Sequence, residues 1–193
     1  VGTLQAALQL MRARGDVEDV LLCLAALLGL GNLGHLALDH AREWASEFLA
    51  LCDARPGDLI TTTDPVVWGA AANLFFAQPG HPLTQAMPAW ITTGLEADDV
   101  SEAYLGAAAG ALSASTCCGQ IAISERIVAR MLPFVDTPTA SPSEAAWFLY
   151  CVGYLRFLQT RYEEAHECLL RAERVAAGAG LREVLYEIAL YRV

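Results

Sequence analysis

Apolar positions recur three and four residues apart along most of this chain, and turn-forming residues interrupt the series at intervals. Within 162–179, Ala165, Cys168, Leu169, Ala172, Val175, Ala176 and Ala179 form one such stripe. Glu163, Glu167, Arg171 and Arg174 fall on the other face, with Glu167 and Arg171 in the favourable i,i+4 order. Read end to end, the pattern predicts helices near 3–14, 17–30, 34–53, 65–77, 82–93, 99–117, 120–132, 142–159 and 162–178, and another beginning at 181. No segment shows the Val/Ile/Thr-rich alternation of a strand.

Helix boundaries are marked by residue chemistry. Asp16 precedes an apolar run, and Asp64-Pro65 places a cap before a proline at the first helical position. Asp99-Val-Ser-Glu102 and Ser141-Pro-Ser-Glu144 have capping-box spacing, in which the fourth side chain reaches back to the first residue. Gly15, Gly94, Gly119 and Gly180 each follow a helical run and are expected in the left-handed position that ends a helix. Pro88 lies inside a predicted helix and is expected to kink or shorten it.

The marked starts Asp64, Asp99, Ser141 and Leu181 are 35, 42 and 40 residues apart. Helix pairs recurring at that period predict an all-α fold, a tetratricopeptide-like solenoid of antiparallel pairs forming one domain over 1–193. The clearest unit is 146–178, where Leu149, Val152, Gly153, Tyr162, Ala165, Leu169 and Ala172 match the large, small and aromatic positions of that pattern. Gly153 and Ala165 are expected to let two helices approach closely, and Ala172 to admit the next pair. Gly106-Ala-Ala-Ala-Gly110 suits a similar crossing, whereas around 29–48 only Leu28, Gly29, Ala41 and Phe48 fit.

Composition narrows the function. Apolar residues make up 55% of the chain and charged residues 18%, far from a disordered composition. The net charge is −10, and all 12 basic residues are Arg. Such a chain lacks the basic footprint that binds phosphate backbones, so no direct nucleic-acid binding is expected, and an acidic surface disfavours anionic membranes. The longest run without a polar side chain, Val20 to Gly31, is too short for a span of ~20 residues. No secretory signal is evident in residues 1–15, which points to the cytoplasm. The chain opens at Val1 rather than Met, so it is expected to belong to a longer protein.

Gly29-Leu-Gly31-Asn-Leu-Gly34 satisfies the G-x-G-x-x-G spacing of dinucleotide-binding turns, and Asp53 stands near the acidic position. The preceding Leu21–Leu28 run has no β-branched residue and no parallel strands follow, so the expected reading is a helix contact at Gly29 and a junction over Gly31–Gly34. Without Lys, neither a P-loop nor Schiff-base chemistry can form within the chain. His166-Glu167 is half of H-E-x-x-H, but Leu170 occupies the second His position. His35, His40, His81 and His166 are therefore read as surface or packing residues, and no metal site is expected. The six Cys residues include the adjacent Cys117 and Cys118 but no C-x-x-C, and they read as reduced structural thiols. No catalytic residue or cofactor is assigned.

Three aromatic residues carry more information. Trp147, Tyr150 and Tyr154 stand at i, i+3 and i+7 on the first helix of the clearest unit, positions that face the concave groove in the tetratricopeptide pattern. They suit either a ligand groove, where ring faces and polar edges hold a peptide or small molecule, or the contact between neighbouring hairpins.

The segment ALLGLGNLG, the helix ending EFLALCDARPGD, and RYEEAHECLLRAERVAAGAGL together resemble the helical-repeat region of MalT-like and related LuxR-type ATP-dependent transcriptional regulators. The likeness is one of pattern over most of the chain, and residues 58–98 depart from regular repeats. In that family the repeats form a superhelical arm between an ATPase module and a DNA-binding module. The resemblance implies a non-catalytic sensor or scaffold that binds a protein, peptide or small-molecule inducer. The alternatives are a free-standing adaptor and, further off, a dinucleotide binder or all-α enzyme.

Overall fold

Within the described residues the sequence folds into helices, with no strand. The computed structural model describes residues 2–29, 38–54, 68–96 and 100–191. Ten α-helices fall within them: α1 (Gly2–Arg14), α2 (Val17–Gly29), α3 (Leu38–Ala54), α4 (Ala71–Ala77), α5 (Pro82–Gly94), α6 (Leu105–Cys117), α7 (Ile121–Met131), α8 (Pro142–Leu158), α9 (Tyr162–Ala179) and α10 (Arg182–Leu190). Short 3-10 turns at Glu102–Tyr104 and Leu132–Phe134 precede α6 and follow α7.

The helices stack in two rows. In the first row, α2, α4, α6, α8 and α10 each touch the next member. The second row holds α3, α5, α7 and α9, and chain neighbours pack across the rows from α3 through α7 and from α8 through α10. Polar ties repeat the same period. Arg12 with Glu47, Arg126 with Glu96, Thr139 with Glu102, Arg156 with Glu125, Arg171 with Asp136 and Tyr150 with Glu187 join residues 30 to 37 positions apart. One buried cluster runs the length of the stack, from Leu8 to Ile188.

The central helix, α6, is built for crowding. Its sequence LGAAAGALSASTC buries residues on every side, and it touches α4, α5, α7 and α8. Small side chains on all faces let four neighbours approach one axis, which an amphipathic helix would not permit. Its two fully buried hydroxyls are satisfied within the core: Ser115 Oγ lies 2.8 Å and Thr116 Oγ1 3.2 Å from Ser124 Oγ, and Ser115 also donates to the Leu112 carbonyl.

Several helix ends differ from their expected chemistry. Ser141 is the N-cap of α8, but its side chain caps nothing, and Glu144 lies over Gly106 of α6 instead of reaching back. Glu102 is drawn to Thr139 rather than to a cap, while Asp64 and Asp99 lie outside the described residues. Gly15, Gly119 and Gly180 are left-handed as expected, but Gly94 is the last residue of α5, and what demands its lack of a side chain is the ring of Trp68 against it. Pro88 does not shorten α5: it is itself buried beside Met87 and Ile91, so packing outweighs the lost hydrogen bond. Gly29 ends α2 as expected, and Gly31–Gly34 lie outside the described residues.

Candidate binding face on the first row

The expected groove residues are carried by α8. Its turns place Trp147, Tyr150 and Tyr154 on one side, all half-buried, with exposed Phe157 continuing the series. Alanines and Leu149, Val152 and Leu155 fill the opposite side and pin the helix into the core. α6 packs against it, with Gly106 at its start meeting Glu144 at the start of α8 and Cys117 at its end within electrostatic reach of Cys151 and Tyr154. A helix of small side chains therefore borders a helix of large rings.

The rings form a connected ladder. Trp147 stacks on Tyr150 with centroids 5.1 Å apart and planes at 27°. Tyr191, just past α10, reaches across to Tyr150 at 6.0 Å, Tyr154 at 5.5 Å and Phe157 at 5.8 Å. Phe157 also meets Tyr162 of α9 edge to face at 5.7 Å. The Tyr150 hydroxyl donates to Glu187 Oε2 over 3.3 Å. Part of the ladder is thus the packing between α8 and α10, as well as a surface. The buried indole N–H of Trp147 meets no acceptor among the described residues. Burial raises the phenol pKa values of Tyr150 and Tyr154, so both keep their protons and act as hydrogen-bond donors at neutral pH.

Tyr191 and Phe157 are the members that local sequence reading did not single out. Phe157 extends the i+3, i+4 series 147, 150, 154, a signal present in the sequence. Tyr191 comes from a separate helix and has no local signal. Beside Phe157, a cavity of about 270 Å³ is lined by Tyr162, His166, Leu169, Leu170 and Tyr191.

The remaining candidates take structural positions. Asp53, which stood near the acidic position of the glycine motif, faces Nε2 of His81 at 3.2 Å. His81 caps α5 through Nδ1, which accepts the Leu83 N–H at 3.3 Å. A ring that accepts at Nδ1 has its hydrogen at Nε2, directed at the carboxylate. His40 lies on the surface beside Trp44, and His35 is outside the described residues. No group of three or more His, Cys, Asp or Glu side chains among the described residues could hold a metal ion. All six Cys are unpaired, and burial pushes the thiols of Cys23, Cys151 and Cys168 up and that of Cys52 to about 12, away from the thiolate form. No helix among the described residues is long and apolar enough to cross a membrane.

Comparison of the chain with family models, with curated proteins and with solved structures finds no match.

Proposed function

We propose that this chain is a non-catalytic recognition region: a tetratricopeptide-like superhelix acting as the sensor or scaffold arm of a larger cytoplasmic transcriptional or signalling regulator. The carrying observation is the ladder Trp147–Tyr150–Tyr154 on a first-row helix, half-buried beside the small-residue helix α6. Aromatic faces with hydroxyl edges suit a peptide, a protein segment or a small inducer. The two-row stack and its polar ties 30 to 37 residues apart support a repeat architecture, in keeping with the MalT-like resemblance. Binding acts on the parent protein by favouring one of its arrangements, which requires different affinities for the two.

Tyr154 is the residue to test, because Tyr150 is tied to Glu187 and Trp147 is stacked beneath it. Peptides selected by phage display against the intact protein are the probe. Tyr154→Ala is expected to weaken their binding about tenfold while far-UV circular dichroism stays unchanged. Selected peptides that bind this variant as tightly as the parent overturn the assignment of the α8 face.

A further inference from the structure

The side of α8 that carries the ladder borders a smooth strip of α6. Of α6 only Gly106, Ser113 and Cys117 are not buried, and they stand at i, i+7 and i+11 on one face. Gly106 meets Glu144, three residues before Trp147, and Cys117 is within electrostatic reach of Tyr154, so the strip runs beside the rings. By helix rise, Glu144 to Phe157 spans about 20 Å. A polyproline II segment rises ~3.1 Å per residue, so about six of its residues cover that length.

The polar groups favour an extended occupant over a helical one. The Tyr154 hydroxyl, protonated at neutral pH, has no hydrogen-bond partner among the described residues. A helix satisfies its own carbonyls, whereas a polyproline II segment leaves its carbonyls to outside donors. Such a segment is also stiff before it binds, and its pyrrolidine rings pack on aromatic faces.

The charge of the strip is one-sided. Glu144 forms no ion pair or hydrogen bond among the described residues, and burial raises its pKa with nothing to offset it. Glu102 and Glu187 meet only the neutral hydroxyls of Thr139 and Tyr150, and α6 carries no charge. The described arginines of the neighbouring helices turn elsewhere. Arg156 and Arg161 pair with Glu125 and Glu164, and Arg126 and Arg130 of α7 reach Glu96 and the Leu95 carbonyl. Arg171 and Arg174 line a separate cleft with Leu149, on the opposite side of α8. Arg182 stands about 140° around α10 from Glu187. Arg192 lies outside the described residues and follows Tyr191, which meets the Phe157 end of the ladder. A cation is therefore the complement at the Glu144 end, while a second copy of this chain, at net charge −10, is repelled.

We infer that the ladder receives an extended, proline-rich segment of a partner protein, with pyrrolidine rings on Trp147 and Tyr154, a backbone carbonyl on the Tyr154 hydroxyl, and a basic side chain over Glu144. The inference rests on the recognition reading above and adds the chemistry of the partner.

The test is a titration of the intact ¹⁵N-labelled protein, followed by NMR. The probes are two acetylated and amidated hexapeptides, five prolines preceded by an arginine and five prolines followed by one, for the two chain directions. Controls carry glutamine in place of the arginine, or alternating glycine and serine in place of the prolines. At least one arginine–proline peptide is expected to shift α8 from Glu144 to Phe157 and the unburied strip of α6, with a dissociation constant on the order of 0.1–1 mM. The glutamine control is expected to bind at least about threefold more weakly, and the glycine–serine control at least about tenfold. Glu144→Gln should erase the preference for arginine over glutamine. Tyr154→Phe, which keeps the ring, should weaken both proline peptides about threefold or more. Absence of shifts on α8, glycine–serine binding of equal strength, an arginine preference that survives Glu144→Gln, or binding unchanged in Tyr154→Phe overturns the inference. If that happens while selected peptides still depend on Tyr154, only the proline-rich, basic partner fails; if those peptides ignore Tyr154 as well, the recognition face itself fails.

Discussion

A Cβ placed on Gly153 would stand 2.9 Å from Cγ and Cδ2 of Leu169 and 3.3 Å from the carbonyl oxygen of Ala165. The side chain can rotate aside, but the carbonyl belongs to the helix backbone. Gly153→Ala would gain about 1 kcal/mol in helix propensity, while overpacking costs about 1–3 kcal/mol. The crowding wins here because two neighbours must move, and a net loss of about 1 kcal/mol is expected in urea unfolding. Adding Leu169→Ala should make the pair less damaging than the sum of the singles, because the added methyl then has room. A stabilised Gly153→Ala protein would remove the close-approach argument. Thr160 presents the opposite case. It ends α8 at φ 61°, a left-handed conformation that crowds its branched side chain. Thr160→Gly relieves that crowding, partly offset by a freer unfolded chain. The expected rise in melting temperature is about 2 °C, read by scanning calorimetry.

At the scale of elements, α7, α8 and α9 are tied by one ionic lattice, with Arg156 of α8 pairing with Glu125 of α7 and with Glu164 of α9. Arg156, 8% exposed, donates to both oxygens of Glu125 and to Gln159, and Gln159 donates to Glu125 over 2.8 Å. Hydrogen bonding from Arg156, then from Gln159, holds the Glu125 carboxyl below its ordinary range. A carboxyl depressed in the folded state stabilises the fold above its unfolded pKa. That contribution is lost as pH falls through the folded value. Arg156→Met is expected to lower stability by about 1–2 kcal/mol at pH 7, since Glu125 can regain water, and to flatten the fall in stability between pH 5 and pH 3. Urea titrations across that range decide it: an unchanged pH slope would mean the lattice is not what couples these helices to acid. Such ties explain what local pattern could and could not reveal. The period of apolar residues located nearly every described helix within a few residues, because burial alone enforces it. Ser141 and Glu144 carried the spacing of a capping box, yet Gly106 on a distant helix offered Glu144 a different place to lie. His81 became a cap because Asp53, 28 residues earlier, orients its ring. The candidate face divided in the same way. The series Trp147, Tyr150, Tyr154 followed from helical spacing, whereas Tyr191, which covers it, depends on how α10 folds back on α8.

For the whole molecule, a stack in which each helix touches mainly its neighbours should not open uniformly. Opening an end breaks one interface at α1 and two at α10, while opening the middle breaks four at α6. α6 touches four helices and buries most of its residues, whereas α1 buries Leu8 alone among its own and α10 holds the stack chiefly through Val184 and Ile188. Amide hydrogen exchange at neutral pH is therefore expected to be slowest in α6 and at Leu149 and Val152 of α8, and at least about 100-fold faster in α1 and α10. This gradient bears on recognition, because α10 carries the residues that lead into Tyr191 and so governs how far Tyr150, Tyr154 and Phe157 are covered. A peptide that lies along the ladder must clamp Tyr191 against α8. It should therefore slow exchange in α10 more than in α6, even though it touches neither the core nor most of the α10 backbone. Equal slowing in both helices would mean that the stack unfolds as one unit and that α10 is not a separately opening cover. Protection gained by α10 alone would make the closing of this last helix the event through which binding is passed along the row.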